Sequence, residues 1–332
     1  MEETIKGKRT SVFDFFVRYW LAFLMVILVF VFGGIAPSFM TSSNLLDIVS
    51  STCVNGICAL GLMMIMSSGE IDYACGSEMV IGAVGIAKIM CVPFFCEHSY
   101  GYFLAILIVL AMLVLFGLLN AFLHIKVGIP AFIATLGTSL TVDGVIMVIT
   151  KCSSVSSMRW PPISRFLGTH YLFGVLPMPA VLLVLFSVVI YIYTSHTKSG
   201  KKIYAVGANA AACRYVGIDE NRVKLKGFIS CSVLCGFAGI IDVSILNTAS
   251  HTLGGNILFN SLTALMLGAT CFVIGVYNVL GTVLSALFII MLQNAFVIFG
   301  FPTYLKELIQ GGILVLSVTM VMIIRVRRSR KG

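Results

Sequence analysis

The side chains able to do chemistry are scattered along this chain rather than gathered. The five histidines, His98, His124, His170, His196 and His251, show no HExxH pair. Around Gly200-Lys201 a phosphate-binding loop would need Gly where Ser195 stands and Ser or Thr where Lys202 stands. The ten cysteines have neither zinc spacing nor a CxxC pair. Cys53, Cys58, Cys75, Cys231, Cys235 and Cys271 lie in apolar runs, where a thiol packs as a small hydrophobe. Cys91, Cys96 and Cys152 fall in connections near one face, and no spacing supports a disulfide among them. Catalysis, a metal and a bound cofactor are therefore not expected of this chain. What remains is a set of polar residues inside apolar runs: Asp47, Asn55, Glu78, Lys88, Asn120, Asp143, Asp242, Asn247 and Asn294. Each is costly in lipid, so each marks either a helix-helix hydrogen bond or a polar path.

The elements that position them are membrane spans. Of 332 residues, 59% are hydrophobic, 11% are charged, and the mean hydropathy is +1.05. A soluble enzyme, a disordered chain and a nucleic-acid-binding domain are excluded, because so much apolar surface cannot be hidden in a soluble fold of this size. Apolar runs fall at about 19–36, 45–66, 75–92, 102–123, 130–150, 174–194, 227–246, 259–275, 279–298 and 305–324. About 20 residues span a bilayer once. Only helices or closed barrels satisfy their backbone there, and no run alternates as a strand would. The expectation is an all-α integral membrane protein with about ten transmembrane helices, 1–332 forming one domain. Trp20–Ile35 follows basic residues and lacks a small-x-small cleavage site, so it reads as a first anchor rather than a cleaved signal. Gly236, Gly239, Gly281 and Ser285 read as close-packing positions.

The net charge of +9 is a topology signal. With the N-terminus inside, 17 Lys and Arg fall in inner segments and 3 in outer ones (Lys151, Arg159 and Arg165). Both termini are then cytoplasmic. The outer connection 151–173 contains Trp160-Pro161-Pro162, consistent with a short interfacial segment. The long inner connection, 195–226, holds seven of the basic residues. Within it Asn209 is a good N-cap, three alanines follow, and Gly217 suits the left-handed position that ends a helix. A two-turn helix over 210–216 is predicted. So short a helix needs a partner surface. It is either a docking element, with Ala211 and Ala212 allowing close approach beside Arg214 and Tyr215, or an amphipathic connector on the membrane.

This inner segment resembles the cytoplasmic coupling segment of ribose-type sugar ABC importer permeases, within the larger branched-chain amino acid and sugar permease group. The family pattern G-x-x-I-Y-A-V-G-x-N-x-x-A-A-R-x-x-G-I is met by Gly200, Ile203, Tyr204, Ala205, Val206, Gly207, Asn209, Ala212, Arg214, Gly217 and Ile218, with Cys213 in place of the usual Ala. Gly69–Ser77 is similar to the family's G-G-I-D-L-S-x-G-S, and Ile129–Thr138 to its P-x-F-I-A-T-L-G-T. The family's glycine-rich segment after the eighth span is largely lost here: Leu267–Gly281 keeps Gly268 and Thr270.

The resemblance implies a permease subunit of an ATP-driven importer in the bacterial cytoplasmic membrane, moving a monosaccharide or related small polar solute by alternating access. It implies a cytoplasmic ATPase carrying ATP and Mg, an extracytoplasmic sugar-binding protein, and a second permease copy or paralogue. Gly207, Asn209, Ala212, Arg214, Tyr215, Gly217 and Ile218 would contact the ATPase. Asp72, with Gly76 and Ser77, would cap or gate the break before the third span. For a neutral solute, Asn55, Thr135, Thr138, Asn247 and Asn294 offer suitable path groups. Other solutes (a nucleoside, a signalling furanone, a branched-chain amino acid) fit the same frame. An ion-coupled carrier using Asp143 or Asp242 is the competing reading, with an intramembrane enzyme a more distant third.

Overall fold

The structure is a computed structural model that describes residues 12–98, 100–156 and 160–329. Lys6, Lys8, Arg9, Arg159, Arg330 and Lys331 of the charge balance lie outside the described residues. The chain runs α1 (Val12–Ile35), a short 3-10 turn (Pro37–Met40), α2 (Ser42–Met66), α3 (Cys75–Ile89), α4 (Pro93–Glu97), α5 (Gly101–Ile125), α6 (Ala131–Thr150) and α7 (Pro162–Gly168). A hairpin of two-residue strands follows, β1 (Tyr171–Leu172) and β2 (Leu176–Pro177). Then come α8 (Met178–His196), α9 (Lys198–Ala208), α10 (Ala210–Tyr215), α11 (Glu220–Leu246), α12 (Leu253–Gly268), α13 (Val279–Ile298) and α14 (Thr303–Ser329).

Eight of the described helices are long and apolar enough to cross a membrane: α1, α2, α5, α6, α8, α11, α13 and α14. The expected third and eighth spans are shorter. Helix α3 has 15 residues and α12 has 16. At 1.5 Å per residue neither reaches about 30 Å, the thickness of a hydrocarbon core. Both are packed inside the bundle, where neighbouring helices and the adjoining turns satisfy the backbone at that depth. The run expected at 259–275 is corrected to 253–268. Its apolar tail continues into turns, with Gly275 at φ +80° and the Asn278 amide donating to the carbonyls of Gly268, Cys271 and Val276. Helix α11 begins at Glu220 rather than 227, because Asp219 accepts from the Arg222 N–H and starts the helix early.

Helix α11 lies at the centre, packed on α2, α3 and α5 more extensively than any other helix. Glycines set those approaches. A Cβ on Gly82 would strike the Gly236 carbonyl, and one on Gly239 the Met79 carbonyl. Gly268 and Gly281 meet backbone to backbone, and Ser285 is fully buried on the same helix, as the small-residue reading expects. By contrast α1, α6 and α14 are mostly exposed along their apolar lengths. One end of the bundle gathers the α2–α3 break, the start of α6, α9, α10 and the α12–α13 turn, as contacts among them show. It is also the end bearing the basic 195–226 segment. The opposite end holds Val155 bridged to Ala249 and Asn44 bonded to Asn294. All ten cysteines are free thiols.

Candidate functional site

The predicted short helix is α10, and its ends are closed as its sequence indicates. The Ala212 N–H donates to Asn209 Oδ1 at 2.9 Å. Gly217 is left-handed at φ +77°, and the Ile218 N–H donates to the Cys213 carbonyl at 2.9 Å. Helix α10 ends one residue earlier than predicted, at Tyr215. Cys213 and Ile218 turn inward onto the core. Tyr215 and Val216 turn outward, 93% and 73% exposed. Arg214 reaches Glu220 at 3.4 Å and keeps most of its surface free. The segment read as a loop before it is a second helix, α9, started by Thr197, whose hydroxyl accepts from the Gly200 N–H. Buried Ile203 and Val206 seat α9 on the bundle.

Helix α9 rests directly on the α2–α3 break. Gly69 takes φ +94°, and a Cβ on it would come within 3.6 Å of the Gly207 Cα, while a Cβ on Gly207 would strike the Ser67 carbonyl. The Tyr204 hydroxyl donates to the Tyr277 carbonyl at 2.9 Å, tying α9 to the α12–α13 turn. Glu70 in the same break accepts from Lys224 Nζ at 2.7 Å and faces His124 Nε2 at 3.2 Å. Helix α9 thus touches the break and the α12–α13 turn, and Glu70 ties the break to α5 and α11.

The break is held as a capped turn. Asp72 Oδ1 accepts from the Ala74 N–H at 2.8 Å, just ahead of α3. The Tyr73 N–H donates to Thr135 Oγ1 at 3.0 Å. Gly76 lies against the Gly254 carbonyl, where a side chain would not fit. The Ser77 hydroxyl donates to Asp143 Oδ1 at 2.8 Å and meets the Ser139 hydroxyl at 2.7 Å.

The five path residues are not brought to one place. Thr135 is buried in the break contact. The Thr138 hydroxyl donates to Asn120 Oδ1 at 2.7 Å. Asn247 ends α11 in the left-handed region, at φ +55°. Asn55 is buried with its Oδ1 unbonded. The Asn294 amide donates to Asn44 Oδ1 at 2.8 Å and leaves its own Oδ1 free. Asn294 belongs to a polar face that sequence reasoning missed. Gln293 Nε2 donates to Asn260 Oδ1 at 2.6 Å and to Gln310 Oε1 at 3.1 Å, and Gln310 Nε2 donates to Asn260 Oδ1 at 2.7 Å. This amide triad joins α12, α13 and α14. Beside it lie two open cavities. One is about 390 Å³, with Asn256, Phe259, Thr263, Glu307 and Gln310 on its wall. The other is about 230 Å³, with Asp47, Gln293, Asn294 and Lys306. Three uncharged amides inside three apolar helices were the available sequence signal.

Residues 44–318 match the family model described as branched-chain amino acid transport system / permease component. The chain is 28% identical over 329 residues to the ribose import permease protein of Escherichia coli strain K12, covering 95% of this chain and 97% of that one. It is 30% identical over 298 residues to the ribose import permease protein of Haemophilus influenzae, covering 89% and 90%. It is 28% identical over 307 residues to an autoinducer 2 import system permease protein of Photorhabdus laumondii, covering 91% and 90%. No solved structure matches the chain. With its membrane-capable helices and a family match across most of its length, this chain belongs to the branched-chain amino acid transport system permease component family.

Proposed function

We propose that this chain is the membrane permease subunit of an ATP-driven importer of a monosaccharide or similar small neutral solute in the bacterial cytoplasmic membrane. Import permeases for ribose and autoinducer 2 are among its relatives, and D-allose transport is named for another, which is 26% identical. The basic end faces the cytoplasm, as the excess of Lys and Arg there supports. There α10 docks on a separate ATPase that holds ATP and its Mg ion. A binding protein delivers solute to the opposite end, and a second permease copy covers the exposed faces of α6 and α14.

The observation carrying this reading is α10 itself. It is a capped two-turn helix that leaves Tyr215, and Val216 just beyond it, exposed, and it follows α9, whose Gly207 lies against the Ser67 carbonyl. A push on Tyr215 is transmitted through α9 to the break ahead of α3, biasing one arrangement of the bundle over the other. Solute passes along the amide face of Asn260, Gln293, Gln310 and Asn294. Amides donate and accept at once, which suits a polyol, and the nearby Phe259 offers an apolar face to a sugar ring. The remaining path candidates act as structural links in this reading.

The test is capture from the native membrane. The tagged chain is expected to bring an ATPase with it. Tyr215→Asp with Val216→Asp, both on an already exposed surface, is expected to lose at least nine-tenths of that ATPase while the permease stays monodisperse. An ATPase retained in full by the double variant would overturn the docking assignment. Uptake into vesicles driven by an ion gradient, without ATP, would overturn the importer reading.

A further inference from the structure

Away from the path and the coupling helix, the centre of the bundle collects thiols and carboxyls that neither role uses. Cys231 and Cys235 stand one helical turn apart on α11, on one face. Their sulfurs are 3.9 Å apart. Across from them α3 presents Cys75 and Glu78, three residues apart and also on one face. A carboxylate oxygen of Glu78 and the two sulfurs lie within 4.8 Å of one another. All four residues are fully buried. Helix α2 closes the third side, where the Cys235 thiol points to the Cys58 carbonyl at 3.7 Å.

The polar atoms in this pocket are incompletely satisfied. One Glu78 oxygen accepts from the Ser232 hydroxyl, and the other has no hydrogen-bond partner. Asp72, at the turn before α3, likewise has its Oδ2 without a hydrogen-bond partner. No Lys, Arg or His forms an ion pair with either carboxyl among the described residues. A buried carboxyl left this way is either neutralised by a proton or, where it stays charged, paired or bound to a metal. The spacing fits a metal. Two thiolates bound tetrahedrally at about 2.3 Å would stand about 3.8 Å apart, close to the separation seen here.

We propose that Cys231, Cys235 and Glu78 form a structural site for a thiophilic d10 divalent cation of the zinc or cadmium type. These three side chains hold the ion; Cys75, on the same face of α3 as Glu78, lies outside the close group. Binding converts the ligating thiols to thiolates and releases one proton from each. The cation stitches α3 to α11 just beyond the break on which α9 rests. The site does not depend on the transport reading, and a permease without the metal would still be a permease.

The test uses the full chain, expressed with added zinc or cadmium so that the ion is present during folding. Purified wild-type protein is expected to carry close to one zinc per chain by elemental analysis. The cadmium form is expected to show the ultraviolet thiolate-to-cadmium band, with an X-ray absorption shell of sulfur plus one lighter atom. Cys231→Ser with Cys235→Ser is expected to lose the metal and the band, whereas Cys53→Ser with Cys271→Ser keeps both. Folded wild-type protein carrying less than about a tenth of an equivalent under both metals would overturn the site. So would a band that survives the Cys231 and Cys235 substitutions. Should that double variant fail to fold, the absorption shell of the wild type decides alone: a sulfur-free shell rejects the site.

Discussion

At the scale of single residues, the coupling end and the polar face obey different physics. Asn209 and Asp72 act on backbone N–H groups two or three residues away, so their roles follow from position in the chain. Both were legible in the sequence for that reason. Glu70 with Lys224 and His124 was not, because its partners come from helices more than fifty residues away. Gln293 is similar, with Asn260 and Gln310 supplied by two other helices. Gln293→Leu keeps the helix but removes a donor and an acceptor from the triad. At about 1–1.5 kcal/mol per hydrogen bond, a roughly tenfold fall in solute uptake is expected. The ATPase captured with the chain is expected to be unchanged. Radiolabelled uptake beside a pull-down measures both, and full uptake would remove the amide triad from the path.

At the scale of elements, length was harder to read than identity. The apolar runs located every membrane-capable helix, since hydropathy needs no tertiary information. They misplaced α12, because an apolar tail beyond Gly268 hid a turn enforced by Asn278. They missed α9, which is too polar to form an apolar run and whose two glycines weaken a helix until Ile203 and Val206 are seen buried. The glycines divide into two kinds by the same logic. Gly82 faces the backbone of α11, whereas Gly311 on α14 has open space where a side chain would go. Gly82→Val is therefore expected to destabilise the fold by about 3 kcal/mol or more. Gly311→Val is expected to leave the monomer's thermal midpoint within a degree or two. Fluorescence-detected melting in detergent compares them directly, and equal midpoints would contradict the packing described for α3 and α11.

The whole molecule has two chemically distinct ends, and this makes its orientation measurable. Cys91 and Cys152 are exposed at the end opposite α10. A membrane-impermeant maleimide is expected to label them in cells whose cytoplasmic membrane is intact. Val216→Cys is expected to react only after permeabilisation, and the reverse pattern would invert the topology. The central place of α11 has a consequence for synthesis. Helices α2, α3 and α5 all pack on α11, which is synthesised only after all of them, from residue 220 onward. Until then Glu78 and the glycine faces of α3 have no α11 to meet, and the early helices wait in the bilayer or beside an insertase with polar atoms unsheltered. A released chain truncated before residue 220 should thus be a ready target for membrane proteases, and one truncated after 250 a poor one.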